Sequence, residues 1–289
     1  MILDNVERLK SSISIYANKK TSNILDGSYK SIYKGSGLNF EDLREYVPGD
    51  NVRDIDWKAS SRSKGYLVKR YIAEKKHNIM LIFDTGKKLR GDTAAGENKR
   101  QVALMAGGVV GLLAAQNGDH VGAIFGKGNL IDFYPMKGGM YNLERILTEF
   151  SKEEVLDEGS SLTRTVDYII KHIRRRMILF IISDKEGINT LSETAIKRLA
   201  CQHDICVINI SDLKLTGGRS FVVEDDWYVP DFITKSKKLK RLEEDMESRI
   251  LHDNERKLIR YGIADVTIDS ESEVTDKIIE LLDKHKYRR

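Results

Sequence analysis

"HNIMLIFD", residues 77–84, decides how the chain folds. The unbroken apolar run from Ile79 to Phe83 has no polar face and is too short for a helix, so it reads as a strand buried on both sides. "RMILFIISD" (176–184) is a second run of this kind and, like the first, ends on an aspartate; "ICVINI" (205–210) is a third. Between them lie stretches with helical spacing: "NKRQVALMAGGVVGLLAAQNGD" (98–119), "YNLERILTEF", "SSLTRTVDYIIKHIRR" and "LSETAIKRLACQHD". "HVGAIFG" and "LIDFYPM" form two strands around the glycine-rich turn "GKGN". A charged helix over roughly 236–261, the strand "ADVTIDS" and the helix "EVTDKIIELLDKH" follow. Buried strands alternating with amphipathic helices predict an α/β fold, a mostly parallel sheet with helices on both faces. Gly107 and Gly111 lie inside one helix, where they suit close helix–sheet packing rather than phosphate binding. Residues 1–76 do not follow the alternation. The expected organisation is an N-terminal extension over 1–76 and a sheet domain over 77–289.

Charge and composition narrow the function. The 289 residues carry 48 Lys and Arg against 44 Asp and Glu, a net charge of +4, which gives no dominant basic field for nucleic acid. The basic clusters at 171–176 ("KHIRRR") and 235–241 ("KSKKLKR") read as helix-terminal charges that complement the macrodipole, or as solvated helix faces. The alternative function rests on the same clusters, as a nucleic-acid or anionic-membrane surface. No apolar run approaches the ~20 residues of a transmembrane helix, and the first residues lack the apolar core of a secretion signal. Two cysteines, Cys201 and Cys206, are too few for a disulfide framework and read as small core residues, so a cytoplasmic location is expected. The six histidines form no HExxH, and no nucleophile–base pair is evident, so no enzyme is expected.

In parallel sheets, ligands collect beyond the carboxyl ends of the strands. Asp84 and Asp184 both stand at such ends. Two carboxylates on one sheet edge make a hard-oxygen corner for Mg²⁺ or Ca²⁺, or they cap the turns that follow. A metal-dependent hydrolase built on this pair is the enzymatic alternative.

The segment before the first buried strand is unlike the rest. "NFEDLREYVPGDNVRDIDWKASSR" (39–62) packs six acidic and four basic residues among Phe40, Leu43, Tyr46, Val47, Val52, Ile55 and Trp57. Pro48 and Gly49 mark a turn. Phe40, Leu43, Ile55 and Trp57 are expected to pin its arms to the sheet domain, while Arg44, Arg53 and Arg62 pair bidentately with the carboxylates. An outward-facing part of this network would serve as a docking surface.

Here the sequence resembles a known family. Gly37, Phe40, Arg44, Tyr46, Pro48, Gly49, Asp50, Arg53, Ile55, Asp56, Trp57 and Arg62 match the signature of the domain of unknown function 58 family, and the likeness continues to about residue 210. The resemblance implies a von Willebrand factor A-like (Rossmann-like) domain with an N-terminal extension. It also implies a non-enzymatic adaptor or co-chaperone whose partner is a MoxR-type AAA+ ATPase or that ATPase's client. Domains of this fold hold a cation in a metal-ion-dependent adhesion site of pattern Asp-x-Ser-x-Ser, completed by a Thr and a second Asp. In this chain Asp84 takes the first place, Gly86 and Lys88 replace the serines, Ser160 stands for the threonine and Asp184 for the last aspartate. The implied site, formed by Asp84, Gly86, Lys87, Lys88, Ser160 and Asp184, is degenerate: it is metal-free or binds Mg²⁺ weakly, with the Lys88 ammonium filling or crowding the cation position.

Overall fold

The computed structural model describes residues 27–29, 39–63, 65–72, 76–127, 130–152, 159–214, 216, 221–222 and 227–288. The chain divides into two compact units, Tyr33–His77 and a larger one that holds Asn78–Arg289 together with the Tyr29 segment.

In the smaller unit β1 (Asn39–Glu45) pairs antiparallel with β2 (Leu67–Ile72), and the single helical turn α1 (Trp57–Ser60) lies between them. Gly49 takes the positive φ, 112°, that the Pro-Gly turn foreshadowed. The Asp50 carboxylate organises that turn. It accepts the Val47 amide at 2.9 Å and the Arg44 guanidinium through two bonds of 2.8 and 2.5 Å. The Arg44 fork holds the Asp50 carboxyl below its ordinary pKa. Asp56 caps α1 by accepting from the Ala59 amide at 3.0 Å, and its other oxygen lies 3.5 Å from Lys69 Nζ.

Three expectations for this unit are corrected. Trp57 does not act as a buried pin: it is 61% exposed and meets the equally exposed Tyr66 edge-on at 6.0 Å. Trp57 is the first residue of a capped single turn, and Ile55 is the buried residue there. Arg53 and Arg62 are exposed and have no carboxylate partner among the described residues. Asp50 and Asp56 are already held, by Arg44 and by the α1 cap. The Phe40 side chain lies outside the described residues.

The larger unit runs β3 (Asn78–Phe83), α2 (Lys99–Gln116), β4 (His120–Lys127), β5 (Leu130–Lys137), α3 (Met140–Lys152) and α4 (Leu162–His172). It continues through β6 (Ile178–Asp184), α5 (Lys185–Thr190), α6 (Glu193–Gln202) and β7 (Asp204–Ile210). Two short strands, β8 (Phe221–Val222) and β9 (Trp227–Tyr228), precede α7 (Asp231–Thr234), α8 (Lys237–Arg260), β10 (Ala264–Ile268) and α9 (Val274–Arg288). The six-stranded sheet has the order β10-β7-β6-β3-β4-β5, and every pairing is parallel except β4–β5. The α/β expectation is met. The chain starts in the middle of the sheet, winds to one edge, then returns past β3 to build the other half. This is the doubly wound pattern, whose switch point lies between β3 and β6.

Alternation along β3 divides the core in two. Met80 and Ile82 join Ile124, Leu179 and Ile181 under α4, α6 and the end of α8, against Leu162, Val166, Leu199 and Leu258. Phe83 stacks on Phe150 of α3 at 4.1 Å, with Phe125 edge-on beside it. α2 is buried on nearly every side because it is sandwiched between sheet, α3 and α9. Gly107 makes that possible, since a β-carbon there would come within 2.4 Å of the Phe83 ring. Gly111 does the same against Leu143 of α3, at 2.3 Å.

Outside the sheet, the Tyr29 hydroxyl is buried and donates to Asp119 at 2.5 Å; burial, then Asp119, pushes its pKa well above the ordinary value. Cys206 is a core residue of β7 as expected, but Cys201 is exposed on α6, a further correction of the sequence reading. Among the described residues no helix is long and apolar enough to cross a membrane.

Candidate functional site

The switch point brings the carboxyl ends of β3 and β6 side by side, and Asp84 and Asp184 with them. Both are almost fully buried, and they are held in opposite ways.

Asp84 is saturated with donors. Its Oδ1 accepts from the Gly86 amide (3.0 Å), the Ser161 amide (2.8 Å) and Ser161 Oγ (3.0 Å). Its Oδ2 accepts from Ser160 Oγ (2.6 Å) and Ser183 Oγ (2.7 Å). Behind Ser161 stands Thr85, whose amide and hydroxyl both lie 3.1 Å from Ser161 Oγ. A carboxylate has about four lone-pair sites, and five donors occupy them here. Such a closed network rigidifies its surroundings. Ser160 therefore does sit at the corner where the sequence reading put it, with Ser161 and Ser183 sharing the work.

Asp184 is short of donors. Its Oδ1 caps α5 by accepting from the Gly187 amide at 2.6 Å, while its Oδ2 is buried without a hydrogen-bond partner among the described residues. Burial foremost, then the neighbouring Asp212 carboxylate, pushes the Asp184 pKa up to about 7, against smaller opposing effects of the Gly187 amide and Lys99.

The cations of this corner are not the ones the sequence pointed to. Lys88 does not fill the cation position: its Nζ is half-exposed and lies 3.7 Å from Glu186 Oε1, at the rim. Residues 87–90 form a single 3₁₀ turn that turns Lys88 outward, with Lys87 partly buried beside it. The buried cation is Lys99, on the first turn of α2, which donates to Asp212 and to the Lys88 carbonyl (3.0 Å). Lys185 continues the chain of charges, at 3.1 Å from Asp212 and 2.9 Å from Glu247 of α8. Burial works against ionising Asp212, but the Lys99 and Lys185 ammonium groups outweigh it and hold its pKa below the ordinary value. Asp184 and Asp212 are thus neighbouring carboxyls with pKa values pushed apart, because only Asp212 is bonded directly to cations.

A divalent cation is a poor fit to this donor set. Mg²⁺ needs open oxygens at ~2.0–2.1 Å in near-octahedral order, and both Asp84 oxygens are already committed. Gly86 leaves no room for the missing serine: a β-carbon there would lie 2.7 Å from Ser160 Cα and 2.9 Å from the Gly159 carbonyl. On the other side α5 presses onto the carboxylate, so that a β-carbon on Gly187 would stand 2.1 Å from Ser183 Oγ and 2.5 Å from Asp84 Oδ2. Among the described residues no three His, Cys, Asp or Glu side chains converge as metal ligands.

Topology and corner together define a doubly wound α/β domain of von Willebrand factor A-like type. The chain belongs to the family described as protein of unknown function DUF58, whose model matches residues 42–216. It is 26% identical over 204 residues to uncharacterized proteins of Mycobacterium bovis and Mycobacterium tuberculosis, covering 70% of this chain and 63% of each relative. The chain thus spans less than two thirds of the length of these relatives. Similar solved structures include an aerotolerance-related membrane protein from Bacteroides fragilis (14% identity, TM-score 0.44, 72% of this chain and 99% of that one). Another is a von Willebrand factor type A protein from Catenulispora acidiphila (10% identity, TM-score 0.44, 74% of this chain and 44% of that one). At this level of likeness the class rests on the family match and the strand order.

Proposed function

We propose that the chain is a non-enzymatic, cytoplasmic adaptor. It works with a MoxR-type AAA+ ATPase in assembling or remodelling other proteins, and its partner meets the carboxyl edge of the sheet without a bridging metal ion. The observation that carries this reading is the state of Asp84, whose carboxylate is closed by five protein donors and so has nothing left for a cation or a substrate. What the edge offers a partner is its rim, where Lys87, Lys88 and Glu186 present charge to solvent. The resemblance of the 39–62 segment to the family signature supports both the interaction role and the ATPase as partner.

The test is affinity capture of the tagged full chain from its native cells, with ATP plus Mg²⁺ and with EDTA, beside the double variant Lys87→Glu, Lys88→Glu. Recovery of an AAA+ ATPase that the charge reversal abolishes and EDTA, at constant nucleotide, does not is the expected result. Recovery that EDTA abolishes, or no ATPase at all, would refute the reading.

A further inference from the structure

The basic cluster at 235–241 stands where stability does not explain it. The cluster at 171–176 lies at the C-terminal end of α4 and beyond, where cations complement the macrodipole, and its Arg176 pairs with Asp204 at 2.7 Å. The 235–241 cluster sits at the opposite kind of helix end, which leaves it the reading as a solvated helix face. Lys237, Lys238, Lys240 and Arg241 crowd the start of α8, and its first turn holds no acidic residue. Cations there oppose the dipole at ~0.3–1 kcal/mol each. All four are exposed, as is Lys235, whose partner Asp231 is itself on the surface.

The same stretch of chain carries large apolar side chains that stand exposed. Phe232 on α7 is 74% exposed and Met246 63%, and Leu239 and Leu242 are also exposed. Leu239, Leu242 and Met246 are spaced three and four apart and share one side of the helix. Two of the acidic residues that follow the cluster are engaged within the fold: Glu243 accepts from the Thr216 amide at 3.0 Å, and Glu247 from Lys185 at 2.9 Å.

We propose that α7 and the first turns of α8 form a docking surface for an anionic lipid bilayer, with Phe232, Leu239 and Leu242 entering the acyl boundary and Lys235, Lys237, Lys238, Lys240 and Arg241 meeting the headgroups. Charge complementarity selects a polyanion, each cation near an anionic bilayer contributing about 1 kcal/mol. The apolar residues choose among polyanions. A phosphate backbone gives Phe232, Leu239 and Leu242 nothing to bury against, whereas basic and apolar residues on one surface helix match the membrane interface. The surface shares no residue with the Asp84 corner, and an adaptor docked this way would work at a membrane.

The test is co-sedimentation of the full chain with vesicles of phosphatidylcholine alone or mixed with phosphatidylglycerol, at low and moderate salt. The expected result is binding to the mixed vesicles alone, weakening as salt rises. Phe232→Ser with Leu242→Ser should reduce partitioning at least ~10-fold, and Lys237→Glu with Lys238→Glu should abolish it. All four positions are exposed, so a melting temperature no lower than that of the native chain confirms that the variants are folded. No sedimentation with mixed vesicles overturns the proposal. Binding that ignores the loss of Phe232 and Leu242, or that a single-stranded oligonucleotide displaces, overturns it in favour of a general polyanion or nucleic-acid surface. The assay contains no protein partner, so its failure leaves the adaptor reading untouched.

Discussion

Replacing Lys99 with methionine is expected to lower the stability of the sheet unit by about 3 kcal/mol, which corresponds to a fall in melting temperature of roughly 6–12 °C. Methionine keeps the length and apolar stem of the side chain, so the loss is confined to the ammonium. That group is 1% exposed and binds both Asp212 and the Lys88 carbonyl. Without it Asp212 keeps, among the described residues, only Lys185 as a cation partner, and an under-compensated carboxylate remains inside the protein. Asp184 would also lose one of the influences that oppose the rise of its pKa. Urea unfolding at neutral pH measures the effect. A change below about 1 kcal/mol with an unaltered denaturant slope would show that Lys99 does not hold the corner together.

Asp184→Asn is expected to act in the opposite direction, and only above acid pH. The folded carboxyl titrates at about 7, against 3.8 for an unperturbed aspartate. Between those values the folded chain keeps a proton that the unfolded chain has released. The stability linked to this group is therefore fully present below the unfolded value and is lost as pH rises through 7. Three units correspond to about 4 kcal/mol, the upper size of the effect. Asparagine is neutral at every pH, and its side-chain carbonyl can still accept from the Gly187 amide as a helix cap. The variant should match the native chain near pH 4 and exceed it in stability by a few kcal/mol near pH 8. Chemical unfolding across that range checks it. A uniform loss at all pH values would mean that the Asp184 carboxylate is charged and engaged in the folded protein.

The two predictions turn on residues of unequal legibility. Asp84 and Asp184 could be read from sequence because each ends an apolar run, and an α/β sheet brings such ends to one edge. Ser160 came from its likeness to a site pattern, and Ser183 stood in plain view before Asp184. Lys99 could not be read. A lysine after an N-cap asparagine at the start of a helix looks like solvated surface, and only the long-range approach of Asp212 makes it an interior cation. Lys88 failed for the converse reason: a 3₁₀ turn places its side chain at the rim. In the smaller unit, the β1–β2 hairpin was hidden because "NFEDLRE" and "LVKRYI" are joined by more than twenty residues with a capped turn of their own. The Arg44–Asp50 clamp was legible; which arginines would go unpaired was not, since that depends on which carboxylates the backbone amides had already claimed.

The account's central claim is that the carboxyl edge of the sheet is closed by hydroxyl, amide and lysine donors in place of a divalent cation. Thermal unfolding of the full chain in EDTA and in about 10 mM Mg²⁺ tests it most directly. A cation bound with a ~0.1 mM dissociation constant would stabilise the folded state by about 2.7 kcal/mol at that concentration. The claim predicts superimposable melting curves. A saturable rise in melting temperature with Mg²⁺ that Asp84→Asn removes would contradict it and restore the corner as a metal site.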